Sequence, residues 1–143
     1  QMLLFRAEPG TVKRILLYKD RYVIPRRDGR VLVGSTLEHV GFDKQITASA
    51  REELVASALE IVPALAHFPV EKHWAGLRPG SPDGTPFIGR HPEISNLYVN
   101  AGHYRNGVVL GPASAALLAT TLLGLPPEVA PAAYLPAKCV NSG

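Results

Sequence analysis

The stretch that decides the fold runs from Trp74 to Leu123: WAGLRPGSPDGTPFIGRHPEISNLYVNAGHYRNGVVLGPASAALLATTLL. It contains Arg78 and Arg105 among glycines and prolines, each where a predicted strand ends and a turn or helix begins. Side chains at such positions reach ligands, and the planar guanidinium fork grips a carboxylate through two hydrogen bonds. The stretch therefore predicts an anion-binding arrangement.

The residues that could bind a ligand also have purely structural explanations. Arg78 is equally suited to capping the carbonyls of its own turn or to pairing with Asp83. The dipeptide Asn106-Gly107 is typical of a turn in which asparagine caps a helix. Tyr22, on a predicted strand, is typical of a packing residue with a solvated hydroxyl. The residues alone leave these alternatives open.

Other catalytic or metal-binding patterns are weaker. Ser81, Asp83 and His103 could be drawn as a hydrolase triad, but no GxSxG elbow accompanies them. Neither GxGxxG nor the phosphate loop GxxxxGK[ST] occurs. Four histidines lack HxH or HExxH spacing, and we interpret them as surface or capping residues rather than metal ligands: His39, His67, His73 and His91.

The composition indicates one ordered, soluble domain. The 143 residues, 46% of them hydrophobic, suffice for a core, and 13 glycines and 13 prolines favour turns and short strands. The net charge is +3, but the basic residues are scattered, so no nucleic-acid surface is predicted. The uncharged run from Val108 to Leu125 contains Gly111 and Pro112 and lacks basic or aromatic flanks, so we predict a buried helix rather than a membrane span.

The cysteine content and the N-terminal sequence bear on location. Cys139 is the only cysteine, which argues against a disulfide framework, a CxxC pair or a thiolate metal cage and fits a reducing compartment. The N-terminal sequence QMLLFRAEPG lacks the basic and apolar regions of a secretion signal. Gln1 precedes Met2 within what resembles a strand. We therefore expect a cytoplasmic protein and a chain that is a fragment of a longer one.

A β-hairpin is predicted in the first third of the chain. Val12–Lys19 and Arg21–Arg26 are rich in strand-forming residues, and Asp28-Gly29 is typical of a two-residue hairpin turn. Such a turn would place Arg27 opposite Arg30. It would also place on one face of the sheet the residues Tyr22, Ile24, Val31, Val33 and Ser35.

Two helices and three further strands complete the prediction. Ser49 to Glu52 has the form of a capping box, and a helix follows it as far as Pro63. A second helix is predicted from Gly107 or Val108 to Gly124, its C-cap, and strands at 72–77, 86–89 and 97–101. The pattern favours an α+β fold with a mainly antiparallel sheet and one covering helix. The core-facing residues of the first helix would be Leu54, Val55, Ala58, Leu59 and Val62.

Three blocks of sequence carry a family resemblance: YVIPRRDGRVLVGST, HWAGLRPGSPDGTPFIGR and NLYVNAGHYRNGVVLGPA. In this order, over nearly the whole chain, they resemble the FAD-dependent D-amino-acid oxidase superfamily, and within it the glycine oxidases of thiamine biosynthesis. The resemblance implies that residues 1–90 form part of the substrate-binding sheet domain. It implies that residues 91–125 form a strand, loop and helix belonging to an FAD domain, and that residues 126–143 form an irregular tail.

The resemblance also implies roles for individual residues. Arg78 would anchor the substrate carboxylate, Tyr22 would hydrogen-bond the same carboxylate, and Arg105 would be a second cation near the substrate. Residues 103–109 would hold the flavin mostly through backbone groups, with the helix start facing the pyrimidine end of the isoalloxazine. No residue is implied as a general acid or base. The flavin-binding residues would be His103, Tyr104, Arg105, Asn106, Gly107, Val108 and Val109.

The implied reaction oxidises glycine, or another small amine or D-amino acid, to an imine, with FAD accepting a hydride and dioxygen yielding hydrogen peroxide. The nucleotide-binding unit with its glycine fingerprint is absent from these residues. We therefore expect the fragment alone to be inactive, not to retain FAD, and to self-associate through exposed apolar surface. Sarcosine or D-amino-acid oxidase, and a stand-alone carboxylate-binding domain, are the alternatives. No nucleic-acid partner, membrane partner or metal is expected.

Overall fold

The computed structural model describes residues 1–136 and divides into two compact units, Gln1–Leu77 and a second that begins at Arg78. The first unit contains five strands and one long helix, and the described part of the second contains two strands and one long helix. The strands of both sheets pair antiparallel. The predicted α+β class is therefore confirmed. The functional division at residue 90, and the assignment of the last strand and helix to an FAD domain, stay predictions.

The first unit is built on a five-stranded sheet whose strands lie in the order β2-β3-β4-β1-β5. Short runs of leucine, β-branched and aromatic residues form it, and the last two kinds pack well on a pleated, half-buried surface. The strand bounds are β1 Met2–Phe5, β2 Leu16–Tyr18, β3 Arg21–Pro25, β4 Val31–Gly34 and β5 Val70–Trp74.

One face of this sheet is covered by helix α1, Ala48–Ile61. Leu54 and Ala58, four residues apart, are fully buried, as the helical spacing predicts. A 3₁₀ turn, Pro63–His67, follows the helix. The core between helix and sheet includes Leu3, Phe5, Val23, Val31, Val33, Leu54, Ala58 and Leu65.

Helix α1 begins one residue before the predicted capping box. Thr47 has an extended backbone, and its hydroxyl accepts a hydrogen bond from the amide of Ala50 (3.3 Å). The amide of Thr47 donates to the side-chain Oε1 of Gln1 (3.0 Å), which holds Thr47 outside the helix. Ser49 therefore lies within the first turn, and the prediction that it caps the helix is wrong.

The β3–β4 hairpin has a three-residue loop instead of the predicted two-residue turn. Pro25 pairs with Val31, and the amide of Arg26 donates to the carbonyl of Arg30 (2.7 Å). Gly29 closes the loop at φ 90°, a conformation that glycine adopts without steric cost. The predicted pairing of residues 27 and 30 is therefore wrong by one position.

This register decides which face of the sheet each side chain occupies. Val23 pairs with Val33, and both are fully buried beneath α1. Tyr22 pairs with Gly34, and these residues occupy the opposite face. A one-residue slip moves every side chain of a strand to the other face. The predicted common face of Tyr22, Ile24, Val31, Val33 and Ser35 therefore does not form.

The second unit pairs two strands, β6 Phe87–Arg90 and β7 Tyr98–Ala101, and packs helix α2, Gly107–Leu123, against both. Gly124 ends the helix as a left-handed C-cap with φ 68°, as predicted. A 3₁₀ turn, Pro131–Tyr134, packs against β6. Residues 137–143, which include Cys139, lie outside the described residues.

Strand β5 ends three residues before the predicted end at Leu77. Its ladder with β1 closes at the pair Met2–Trp74. Arg78 therefore lies four residues beyond the strand, in an irregular loop, and the prediction that it projects directly from a strand end is wrong.

Helix α2 does not resemble a membrane span. None of the helices within residues 1–136 is long and apolar enough to cross a bilayer. Over the same residues, no three His, Cys, Asp or Glu side chains lie together in a way that could hold a metal ion.

Candidate functional site

Arg78 lies beside the aromatic ring of Tyr104. Its guanidinium carbon Cζ is 5.8 Å from the ring centroid, within the range of a cation–π contact. The amide of Tyr104 donates a hydrogen bond to the carbonyl of Pro79 (2.9 Å). A β-carbon built on Gly80 would lie 3.7 Å from the Tyr104 ring. Backbone and side-chain contacts therefore join the Arg78 loop to the loop before α2.

Neither Arg78 nor Arg105 takes part in a salt bridge within residues 1–136. Asp83, the partner considered for Arg78, accepts a hydrogen bond from the amide of Thr85 (2.9 Å). Both arginines are exposed. Two guanidinium groups, on two loops that contact each other, are therefore available to an anionic ligand.

The first turn of α2 presents unused amide groups. Asn106 is the N-cap residue, but its side chain makes no capping bond, so that alternative does not form. The amide of Leu110 donates to the carbonyl of Asn106 (2.8 Å), and the preceding amides of the turn have no carbonyl partner within the helix. The turn contains no acidic residue, and Val108 is 95% exposed. The positive end of the helix dipole is therefore open to a ligand.

Two buried polar atoms lie near this turn without a hydrogen-bond partner in the described part of the chain: Oγ of Ser81 and Nε2 of His103. Gly102, at φ 80°, separates them, and a β-carbon on it would lie 3.4 Å from Cβ of Ser81. Because these two atoms do not bond to each other, the serine–histidine pair of a hydrolase triad is not formed. Unpartnered buried polar atoms are instead typical of positions that face a ligand or water.

The loop 103–109, assigned to a flavin by resemblance, has a donor set that suits one. Open amides at a helix start complement the carbonyl oxygens of an isoalloxazine ring. Nε2 of His103 adds a buried polar atom, and Gly107 keeps the helix start close to His103, since a β-carbon there would lie 3.4 Å from the His103 Cβ. The residues present therefore fit the ring of the cofactor, although the sequence contains no GxGxxG loop for its diphosphate.

Tyr22 belongs to the first unit, whereas Arg78 and Arg105 belong to the second. It lies half-buried on β3, on the face of the sheet that turns away from α1. Its hydroxyl lies 3.8 Å from the sulfur of Met2, a weak contact that a stronger acceptor can replace. The site assignments of all three residues stay predictions.

Gly34 was not predicted from the sequence, and Tyr104 was predicted for the flavin but not for its contact with Arg78. Tyr104 has a φ of 49°, which is uncommon for a bulky side chain, and its ring meets Arg78. Gly34 lies under the ring of Tyr22. A glycine inside a strand indicates close approach of another group, so the sequence alone could have indicated the role of Gly34. No sequence signal indicates the contact between Tyr104 and Arg78, because it joins two loops that are distant from each other in the sequence.

Arg30, at the start of β4, belongs to a surface network of ion pairs. Glu71 accepts hydrogen bonds from Arg30 Nε (2.9 Å) and Arg6 Nε (3.2 Å), and Arg30 also pairs with Asp28 (2.8 Å). Hydrogen bonds from Arg30 lower the pKa of both carboxyl groups. This network joins β1, β4 and β5 at their ends and has a structural role.

The chain matches the family described as FAD dependent oxidoreductase (DAO) over residues 1–121. Among curated relatives, glycine oxidase of Pseudomonas aeruginosa is 54% identical over 137 residues, covering 96% of this chain and 38% of the relative. The Bifunctional protein ThiO/ThiG of Synechocystis is 40% identical, covering 86% of this chain and 19% of the relative. The chain thus spans about two-fifths, 38%, of the length of the first of these relatives.

Solved structures of oxidases are also similar to this chain. Glycine oxidase from Geobacillus kaustophilus superposes with a TM-score of 0.84 at 30% identity, covering 94% of this chain and 36% of that one. Iminodiacetate oxidase from Chelativorans superposes with a TM-score of 0.82 at 31% identity, covering 94% of this chain and 38% of that one.

Proposed function

Because this chain belongs to the DAO family of FAD-dependent oxidoreductases, we propose that it forms the substrate-binding part of a flavin oxidase acting on glycine or another small amine or D-amino acid. The observation that carries this proposal is Arg78, an exposed guanidinium that makes no salt bridge within the described residues and lies beside Tyr104. An arginine of this kind suits the carboxylate that every amino-acid substrate presents.

The proposed substrate contacts divide among three side chains. Arg78 binds the carboxylate through two parallel hydrogen bonds. Tyr22 donates its hydroxyl hydrogen to the same carboxylate, in place of its contact with Met2. Arg105, exposed next to Tyr104, is a second cation near the substrate. Contacts of this kind fix the orientation of the α-carbon, which is how a protein contributes to a reaction whose chemistry is supplied by a cofactor.

The proposed cofactor contacts lie in residues 103–109. The amides of the first turn of α2 and the Nε2 atom of His103 would hold the flavin ring. When bound, FAD supplies the two-electron acceptor that turns the amine into an imine, and dioxygen then takes up the electrons as hydrogen peroxide. No side chain of this chain needs to act as an acid or base, because a substrate bound with its amine neutral requires no proton transfer from the protein.

We further propose that a polypeptide of these 143 residues alone neither retains FAD nor turns over substrate. Its sequence holds no glycine-rich diphosphate loop. We also propose a cytoplasmic location and a place in thiamine biosynthesis, which the similarity to the ThiO/ThiG protein of Synechocystis supports.

A second candidate substrate class is the secondary amino acids, of which sarcosine is the smallest. The likeness to iminodiacetate oxidase favours it, because iminodiacetate is itself a secondary amine with carboxylate groups. The two candidates share the Arg78 contact and differ only at the nitrogen.

The experiment uses the complete gene product that contains this sequence. We expect visible flavin absorption that is bleached under anaerobic conditions by glycine, and peroxide formation in air. Sarcosine and D-alanine, added in parallel, rank the substrate classes. Arg78→Lys should raise the KM for glycine about tenfold or more, since a lysine cannot form the paired hydrogen bonds. Arg27→Lys, in an exposed loop of the first unit, is the matched control. Absence of flavin, or flavin unaffected by all three compounds, contradicts the proposal.

A further inference from the structure

The backbone of Tyr104 is unusual for its residue type. Its φ of 49° lies in the left-handed region, which glycine and asparagine adopt readily and a bulky aromatic residue adopts rarely. Such a conformation persists only where the surroundings hold it, and it often marks a functional position. Here the amide of Tyr104 donates to the carbonyl of Pro79 (2.9 Å), which fixes the peptide group.

This backbone carries the Tyr104 ring onto the turn that holds Arg78. The ring lies against Gly80, where a β-carbon would be 3.7 Å away, and its centroid is 5.8 Å from Cζ of Arg78. Within residues 1–136, no carboxylate competes for this guanidinium through a salt bridge. Among the described residues, the Tyr104 ring is therefore the contact that can limit the rotamers of Arg78.

The chemistry of an arginine makes such a contact compatible with ligand binding. A cation–π contact uses the charge of the guanidinium, whereas its N–H donors lie in the guanidinium plane and stay available to a carboxylate. An unrestrained arginine loses considerable side-chain entropy when it binds. A ring that limits its rotamers beforehand reduces that loss.

We propose that Tyr104 is a positioning residue that orients Arg78 for the substrate carboxylate. The inference rests on the proposed role of Arg78 as carboxylate anchor and adds to it that the anchor is preorganised by an aromatic ring held at positive φ. Tyr104 acts through Arg78 and needs no contact of its own with the carboxylate.

The test compares variants of the complete, flavin-loaded gene product. Tyr104→Leu removes the aromatic face and keeps an apolar side chain, and we expect it to raise the KM for glycine about twofold to fivefold. The kcat should change much less, because the contact affects binding of the carboxylate and not the reacting atoms. Tyr104→Phe keeps the ring, and it should recover most of the KM that the leucine variant loses.

A double-mutant cycle assigns the effect to Arg78. In an Arg78→Lys background, Tyr104→Leu should raise the KM further by much less than it does alone, because contacting residues are not additive. If Tyr104→Leu unfolds the protein, Tyr104→Asn, which tolerates positive φ and lacks a ring, replaces it. Binding of acetate, followed through the flavin spectrum, should weaken in parallel with KM.

The outcomes distinguish the positioning role of Tyr104 from the anchor role of Arg78. If Arg78→Lys raises KM and Tyr104→Leu leaves it unchanged, or if both substitutions add fully, the positioning role is overturned and the anchor role stands. If Tyr104→Phe loses as much as Tyr104→Leu, the ring is not the cause and the inference is also overturned. If Arg78→Lys itself leaves KM unchanged, the proposed function fails first.

Discussion

Gly34 lies directly under the phenol ring of Tyr22. The two residues face each other across the β3–β4 pair, and a β-carbon on Gly34 would lie 2.6 Å from both Cζ and the hydroxyl oxygen of Tyr22. Real β-carbons do not approach other atoms so closely. The hydroxyl of Tyr22 can therefore reach Met2 on the next strand only because residue 34 has no side chain.

We predict that Gly34→Ala displaces the Tyr22 ring. Overpacking of this kind costs about 1–3 kcal/mol of stability, measurable by denaturant unfolding. In the complete gene product the KM for glycine should also rise, because Tyr22 in its proposed role binds the substrate carboxylate through this hydroxyl. Gly76→Ala is the matched control, since a β-carbon there meets nothing within 4 Å. Equal stability and KM in both variants would mean that the ring moves aside freely.

The start of α1 gives a second prediction, which separates two neighbouring hydroxyl residues. Thr47→Ala removes the hydroxyl that accepts the Ala50 amide and should cost about 1 kcal/mol. Ser49→Ala, inside the first turn, should cost much less. Thr47→Ser retains the oxygen and serves as the control. Denaturant unfolding of the three variants measures the difference, and a larger loss for Ser49→Ala would restore the cap that the sequence predicted.

A third prediction concerns stability in acid. Hydrogen bonds from Arg30 lower the pKa of Glu71 in the folded protein. The carboxylate therefore stabilises the fold above the unfolded-state pKa of about 4.3, and this contribution is lost as the pH falls through the lower, folded value. Glu71→Gln should lose less stability than the wild type on acidification over this window. Thermal unfolding measured between neutral pH and about pH 3 tests it.

Glu52→Gln is the control for the acid experiment. Glu52 is exposed and makes no salt bridge within the described residues. The Glu52→Gln variant should keep the acid sensitivity of the wild type. If both variants behave alike, the Glu71 network contributes nothing measurable.

A fourth prediction concerns the apolar start of α2. Val108 and Val109 are 95% and 81% exposed, an unusual arrangement for two adjacent apolar residues. The 143-residue polypeptide should therefore associate as its concentration rises, and Val108→Ser with Val109→Ser should reduce that association. Sedimentation velocity at several concentrations measures it. Ile15→Ser, at an apolar position 61% exposed in the first unit, is the control, and an equal effect there would assign association to another surface.

Much of the fold could be predicted because several local sequence patterns indicate the same element at the same place. The end of α2 at Gly124 and the spacing of Leu54 and Ala58 followed from capping chemistry and helical period. The register of the first hairpin could not be predicted in this way. Asp28-Gly29 fits a two-residue turn as well as the end of a three-residue loop, and the core decides between them by burying Val23 with Val33.

In the candidate site too, some features could be predicted from the sequence and others could not. Arg78 and Arg105 could be found from residue type and position, since exposed arginines between glycines and prolines are chemically conspicuous. The part of Tyr104 could not, because its conformation depends on a hydrogen bond to Pro79, 25 positions earlier in the chain, and no local pattern reports such a bond.

Because the loop between β3 and β4 has three residues, the hairpin tip should respond more strongly to changes in loop length than to changes in the residue types of the loop. A change there that re-paired the strands by one step would carry the phenol of Tyr22 into the hydrocarbon interior and Val23 out to water. Insertions and deletions at this tip should therefore be accepted where the new loop keeps Val23 opposite Val33, and exchanges of one residue type for another should be accepted freely at position 27.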